Sequence, residues 1–259
     1  LAYIYVASEQ ILARTYSRPP SHIHASRDAA AIARGHHFVQ AYGCTSCHGK
    51  DLQGAFIADF RMTSRNLTRL AQTFSDADFD HAIRRGLRPD GTSVAEEMPA
   101  DAFQFVTDAD LGDMVSYIRS LPPAGADIAP PSYDLKARYK LLYGGGKVDA
   151  MWFADQKPAL DLGPNYARGR QLAMAACGEC HTTSLHGQPG ATPDLLIVAS
   201  YDRADFVHFM RTGKAAGNRE LPLMSDTARQ RFSHFDDAEL GQIYDYLAAR
   251  GQKLTASPQ

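Results

Sequence analysis

The residues best suited to chemistry fall in two short stretches. "CTSCHGKDLQG" (44–54) sets Cys44 and Cys47 three apart with His48 directly after, and "CGECH" (177–181) repeats the arrangement with Cys177, Cys180 and His181. C-x-x-C-H is the spacing of a c-type haem attachment site. Each thiol adds to one vinyl group to form a thioether, and the adjacent histidine comes to lie under the iron as proximal ligand. Two other chemistries compete. The four thiols could gather into one zinc site, which takes four ligands. A redox-active dithiol also uses C-x-x-C, but it has no need of the histidine and favours a βαβ setting. A histidine after both pairs points to two covalently bound haem c groups. All four cysteines of the chain lie in these motifs, so none remains for a long-range disulfide.

The sixth position on each iron decides what such a group can do. Methionine there makes an electron carrier of raised potential; an open position admits small molecules. Of seven methionines, Met98 in "AEEMPADAF" and Met224 in "ELPLMSDTARQRF" sit beside proline in loop-like segments, poor places for core filling. They are the expected axial ligands, so the metal set reads His48, Met98, His181 and Met224. Met114 and Met210 fall on amphipathic patterns and belong to the core, and Met174 lies one turn before Cys177. Met62 is the competitor of Met98. His81, His208 and His234 are the rivals for a His/His arrangement, and each reads better as a surface or hydrogen-bonded histidine.

The elements that must position these residues occur twice. "ARGHHFVQAYGCTSCHGKDLQG" (33–54) aligns with "ARGRQLAMAACGECHTTSLHG" (167–187), which puts Cys177 133 residues after Cys44. "TDADLGDMVSYIRSL" (107–121) aligns with "DDAELGQIYDYLAAR" (236–250), read as setting Tyr117 against Tyr244, an offset of 127. Between the halves, "LPPAGADIAPPS" (121–132) and "YGGGK" (143–147) exclude regular helix, because proline breaks it and glycine weakens it. The stretch "YDLKARYKLLY" (133–143) between them suits a short helix. Ser75, followed by Asp76 and Asp78, marks one helix start, and Gly86 its stop. Thr107 opens a capped amphipathic helix that proline ends. No sustained alternation predicts strands, so the fold class is all-α with long loops.

The expected divisions are an N-terminal segment 1–26, a first domain 27–122, a linker 123–163, a second domain 164–251 and a tail 252–259. With 44% hydrophobic and 22% charged residues the 259-residue chain has globular composition, and a net charge of −2 argues neither for nucleic acid nor for general attraction to an anionic membrane; no nucleic-acid partner is expected. The apolar run Leu1 to Ala7 is too short to span a bilayer, which takes about 20 residues. It is expected to be the outer end of a membrane anchor, with a helix packed on the body as the alternative.

With these residues in place, the sequence resembles dihaem c-type cytochromes of the class I fold, two cytochrome c domains in tandem. Domain one carries the resemblance in "CTSCHGKDLQG", "NLT" (66–68), "FDHAIRRGLRPDG" (79–91), "MPADAF" (98–103) and "TDADLGDMVSYIRSLPP". Domain two carries it in "CGECH", "PDL" (193–195), "FVHFMRTG" (206–213), "LPLMS" (221–225) and "FDDAELGQIYDYL". The opening "YVASEQILARTYSRPP" is similar to the segment that follows a membrane anchor in such proteins. The second half departs from the pattern: Thr182 replaces the glycine after the proximal histidine, and Ser225 the proline after the methionine. Domain one lacks a proline between His48 and Arg88, whereas Pro189 or Pro193 can shape the loop under His181. The haem propionates need cations or donors; Arg84, Arg211, Asn66 and Trp152 are the candidates. Tyr117 and Tyr244 are expected to pack the terminal helices.

The resemblance implies a dihaem electron carrier outside the cytoplasm, attached to the cytoplasmic membrane. It would pass single electrons between a membrane-associated donor and an extracytoplasmic acceptor, with no catalytic residue of its own. The expected partners are redox proteins: a membrane dehydrogenase, a respiratory or photosynthetic complex, or a small cytochrome. The alternative is a dihaem enzyme such as a cytochrome c peroxidase, with the second haem open. A sensor lacks support from any signalling segment.

Overall fold

The structure is a computed structural model that describes residues 1–58, 62–94, 98–154 and 156–256, without the side chains of 152–154. The chain opens with α1 (Ala2–Leu12). The first unit comprises α2 (Ala29–Ala41), α3 (Cys44–His48), β1 (Phe56–Ile57), β2 (Met62–Thr63), α4 (Leu67–Leu70), α5 (Asp76–Arg85), α6 (Ala100–Phe103) and α7 (Asp108–Ser120). The linker holds α8 (Leu135–Tyr143) and α9 (Asp149–Ala154). The second unit comprises α10 (Ala167–His181), α11 (Arg203–Thr212), β3 (Lys214–Ala215), β4 (Arg219–Glu220), α12 (Pro222–Gln230) and α13 (Asp237–Ala256). The described strands form two two-residue antiparallel hairpins, so the fold is all-α.

The helix ends follow their caps. Ser75 and Asp78 close a reciprocal capping box on α5, and Gly86 ends that helix in the left-handed conformation at φ 62°. Thr107 accepts from the Asp110 N–H to start α7, and Asp28 accepts from Ala31 N–H to start α2. The proline- and glycine-rich stretches stay irregular, and α8 forms between them, capped by Asp134. Side chains of α4 and its cap tie this linker down: Asn66 Nδ2 donates to the carbonyls of Ala124 (2.7 Å) and Ala126 (2.8 Å), and Arg69 Nη2 to that of Gly125 (2.9 Å).

In each unit the first and last helices cross at a glycine. A Cβ built on Gly35 of α2 would stand 1.8 Å from the Asp113 carbonyl oxygen of α7. One on Gly169 of α10 would stand 2.0 Å from the Gln242 carbonyl oxygen of α13. The next contacts at these crossings are Tyr117 Cβ and Tyr246 Cβ. Tyr246, not Tyr244, is therefore the counterpart of Tyr117, and the last helices are offset by 129 residues (Tyr117 to Tyr246). Tyr244 lies elsewhere on α13, its hydroxyl donating to the Tyr201 carbonyl at 2.8 Å.

The units pack with approximate two-fold correspondence. α6 of the first lies on α10 of the second, and the turn Phe232–His234 of the second lies on α2 of the first. Asp110 takes an ion pair from Arg168 across the junction, and its counterpart Glu239 takes one from His37 at 2.7 Å. Tyr42 and Phe235 meet edge to face at 5.9 Å. The N-terminal α1 lies on α8, where Arg138 reaches Ser8 Oγ and Glu9 Oε2, each at 2.9 Å. Among the described residues no helix is long and apolar enough to cross a membrane.

Candidate haem sites

Each motif begins where a helix delivers it. α2 ends at Tyr42, and Gly43 at φ 76° turns the chain into α3, which is C-T-S-C-H itself. α10 runs directly into C-G-E-C-H. The loops beneath the two histidines are superposable in their bonding. The Gly54 N–H donates to the His48 carbonyl and the Gly187 N–H to the His181 carbonyl, each at 2.9 Å. Ser64 Oγ donates to the Cys47 carbonyl, and Thr192 Oγ1 to that of Cys180, each at 2.7 Å. Leu52 and Leu185, both fully buried, take left-handed φ values of 56° and 63° to pass under the ring. Gly49 holds φ 78° and ψ 157°; Thr182 holds φ 62° and ψ 159°. The missing glycine has not changed the backbone, so Thr182 carries strain there.

His48 Nδ1 lies 2.8 Å from the Arg65 carbonyl and His181 Nδ1 2.8 Å from the Pro193 carbonyl. A carbonyl only accepts, so Nδ1 must carry the proton and Nε2 keeps its lone pair free. Burial pulls both histidines below their ordinary range, which holds them neutral. Both are thus prepared as iron ligands. Burial also pushes the Cys44 and Cys177 thiols up to about 12, so neither is a thiolate ready to hold a metal. Among the described residues no three His, Cys, Asp or Glu side chains converge on a common metal position. The zinc arrangement of the four thiols is not what this fold builds.

A large apolar cavity opens over the first motif. Cys44, Cys47 and His48 line it together with Met98, Met62, Leu67, Phe79, Ile83 and Met114. Its empty volume is about 1330 Å³, part of it open to solvent. Its lining is overwhelmingly apolar, as the macrocycle of a haem requires. Three arginines, Arg65, Arg88 and Arg231, also reach it, the last paired with Glu179. Arg65 Nε is buried without a partner, although its Nη2 stands 3.7 Å from Asp127; burial, with a smaller push from Arg88, pulls its pKa down against that carboxylate. Like charges at an apolar wall call for an anion, which the propionates of a haem supply. The residues present fit the group.

Met98 lies in a loop just before α6, lining this cavity with His48, and Met62 lines it too. Met224 stands differently from its sequence reading. It occupies the first turn of α12, not a loop, because Pro222 starts a helix at its N-terminus. It is half-buried against the hydrophobic core. Met114, Met174 and Met210 are buried core residues. His81 is a buried structural group, bonded to the Pro19 carbonyl and to Arg18 Nε. His208 and His234 are exposed.

The arginines and the asparagine expected at the propionates are occupied otherwise. Arg84 pairs with Asp80 and Asp108 at 2.6 Å each and donates to the Val106 carbonyl. Arg211 does the equivalent with Asp237 at 2.7 Å and the Ser233 carbonyl. Both pin the start of a terminal helix. Asn66 spends both Nδ2 hydrogens on the linker, and its Oδ1 caps α4 through Thr68 N–H. Trp152 lies on α9, and its side chain is outside the described residues. Arg65 and Arg88 escaped sequence reasoning, although "SRNLT" follows the first motif closely enough to fold back beneath it.

The cytochrome c family model matches residues 32–122 and 166–250. The chain is similar to the fructose dehydrogenase cytochrome subunit of Gluconobacter japonicus, 23% identical over 89% of this chain and 55% of that protein. It is 25% identical to the cytochrome c subunit of the quinone alcohol dehydrogenase of Gluconobacter oxydans, over 85% of this chain and 55% of the relative. A diheme cytochrome c-type protein of Cereibacter sphaeroides is 28% identical over 58% of this chain and 56% of its own length. The chain spans little more than half the length of these curated relatives.

Proposed function

The chain belongs to the cytochrome c family and carries two covalent haem c groups, and from that premise we propose that it relays single electrons through two His/Met sites. Bound haem supplies the one-electron chemistry. His48 and His181, each fixed by a carbonyl at Nδ1, would hold the irons through Nε2, and Met98 and Met224 would supply the sulfur ligands. The observation that carries the reading is that His48 and Met98 line one apolar cavity together with both thiols of their motif. Arg65 and Arg88, which line the cavity, would offset the charge of the propionates of the first group. The names of the relatives support a place as the cytochrome subunit of a dehydrogenase, reached by small and transient contacts. Thioether attachment belongs outside the cytoplasm, and the chain acts there, with α1 as the segment nearest the membrane.

A dihaem peroxidase is the second reading, favoured by the helical placement of Met224. The two separate in the far-red ferric spectrum, where iron(III)–methionine sulfur gives a weak charge-transfer band. Two equivalents of that band per chain, with two haems counted independently, are expected of the electron carrier. One equivalent would leave an iron open and move the test to peroxidase turnover.

A further inference from the structure

A buried arginine holds the loop beneath the second histidine. Arg250 lies one turn beyond Tyr246 on α13, and its side chain is 0% exposed. Nη1 donates to Asp194 Oδ1 at 2.8 Å and Nη2 to the Ser184 carbonyl at 3.2 Å. Asp194 directly follows Pro193, whose carbonyl accepts from His181 Nδ1. The same Oδ1 accepts from the Leu196 N–H at 2.7 Å, and Oδ2 stands 2.7 Å from His186 Nδ1. One guanidinium thus clasps both ends of the loop 184–194. Beside it, Gly251 brings α13 down onto the turn Leu195–Ser200, where a Cβ would meet the Leu196 carbonyl oxygen at 2.7 Å.

The first unit anchors the same loop by other means. Asn66 follows Arg65, the carbonyl partner of His48, as Asp194 follows Pro193. Its Oδ1 likewise accepts from the backbone two residues on, the Thr68 N–H. But α7 has ended where α13 carries Arg250, with Leu121 at the matching place, and the linker carbonyls of Ala124 and Ala126 hold Asn66 instead. A buried ion pair generally adds little stability over apolar residues of the same volume. What this one adds is place. A carbonyl kept on the Nδ1–H makes the imidazole a more basic ligand, and a more basic ligand favours ferric over ferrous iron.

Resting on His181 as the proximal ligand of the second haem, we propose that Arg250 is a positioning residue for that site. Through Asp194 and the Ser184 carbonyl it keeps the Pro193 carbonyl on His181, and so holds the potential of the second haem down.

Equilibrium redox titration of the intact two-haem protein tests this, with the first haem as internal reference. Met98→His, which lowers one potential, marks that first haem. Arg250→Lys keeps the charge, but one ammonium cannot span Asp194 and the Ser184 carbonyl as the guanidinium fork does. It is expected to raise the second-haem potential by about 59 mV, a tenfold shift of a one-electron equilibrium, and to leave the first alone. An arginine acting by its charge alone would be replaced by lysine without a shift. A second-haem potential that stays put or falls, or two potentials that move together, overturns the proposal and leaves the electron-carrier reading intact. If Arg250→Lys fails to fold, Asp194→Asn, which keeps an oxygen for the Leu196 N–H, is read by NMR. Faster hydrogen exchange at the Nδ1–H of the second-haem histidine alone is expected there, and unchanged exchange overturns the proposal. A parent chain with fewer than two haems overturns both proposal and reading.

Discussion

At the residue scale, the sites depend on backbone shapes that few side chains tolerate. Thr182 is the clearest case: a β-branched residue at φ 62° and ψ 159°, where the first motif has Gly49. Such a conformation costs a non-glycine residue about 1–3 kcal/mol. Part of that is offset by the stiffer unfolded chain that threonine gives, and its hydroxyl contacts Ser184 Oγ at 3.0 Å. Thr182→Gly should therefore stabilise the protein by about 1 kcal/mol, read as a shifted midpoint in chemical denaturation, and Gly49→Thr should do the reverse. An unstabilised Thr182→Gly would mean that the loop relaxes freely around the threonine. The motifs themselves were plain in the sequence, because C-x-x-C-H needs only neighbours along the chain. The carbonyls that fix the histidines were not: Arg65 and Pro193 share no residue type, and a carbonyl leaves no mark on the sequence. The propionate candidates misled for a related reason. An arginine on a helix reads the same whether it meets a carboxylate of the next helix, as Arg84 does, or a cofactor.

At the scale of elements, the helix ends were legible from Ser75, Gly86, Thr107 and the prolines, since capping is local chemistry. The register between repeats was legible as well, since the aligned stretches 107–121 and 236–250 stand 129 apart, and setting Tyr117 against Tyr244 misread it. α5 and α11 correspond at 127 residues (Arg84 to Arg211) but α7 and α13 at 129 (Tyr117 to Tyr246), so two residues enter the second unit in between. That interval contains Met224 and α12, which is where a loop methionine became a helical one. The crossing glycines define what each unit can bear. At Gly35 the obstructing atom is the Asp113 carbonyl oxygen, backbone that cannot swing aside as a side chain would. Gly35→Ala should push α2 from α7 and cost about 3 kcal/mol, the upper end for overpacking. Gly169→Ala should do the same to α10 and α13. Denaturant titration gives the loss directly. A cost well under 1 kcal/mol in both would show that the helices can separate without repacking.

At the scale of the whole molecule, the junction joins residues far apart in the chain, which is why no local pattern announced it. His37 and Glu239 are 202 positions apart and lie 2.7 Å from one another. The hydrogen bond to Glu239 raises the His37 pKa, against the cost of burial; the charges of Glu239, Asp236 and Asp110 raise it further. A raised histidine stabilises the folded state in full below its unfolded pKa, about 6.5, and loses that contribution as pH climbs through the folded value. His234 works the other way. Partial desolvation of this otherwise exposed ring, with His37 and His36 nearby, lowers its pKa, so it costs stability as pH falls below about 6.5. The two histidines oppose each other in a simple pH scan, and a comparison of variants separates them. His37→Gln should be less stable than the parent near roughly pH 6, and that difference should fade by roughly pH 9, where His37 is neutral in both states. Glu239→Gln should reproduce the effect, and the double variant should add little to either. Thermal melts of the four proteins across this range make the test. A deficit that is constant with pH would mean that His37 holds the units by its packing beside Phe38 and Phe235, not by its charge.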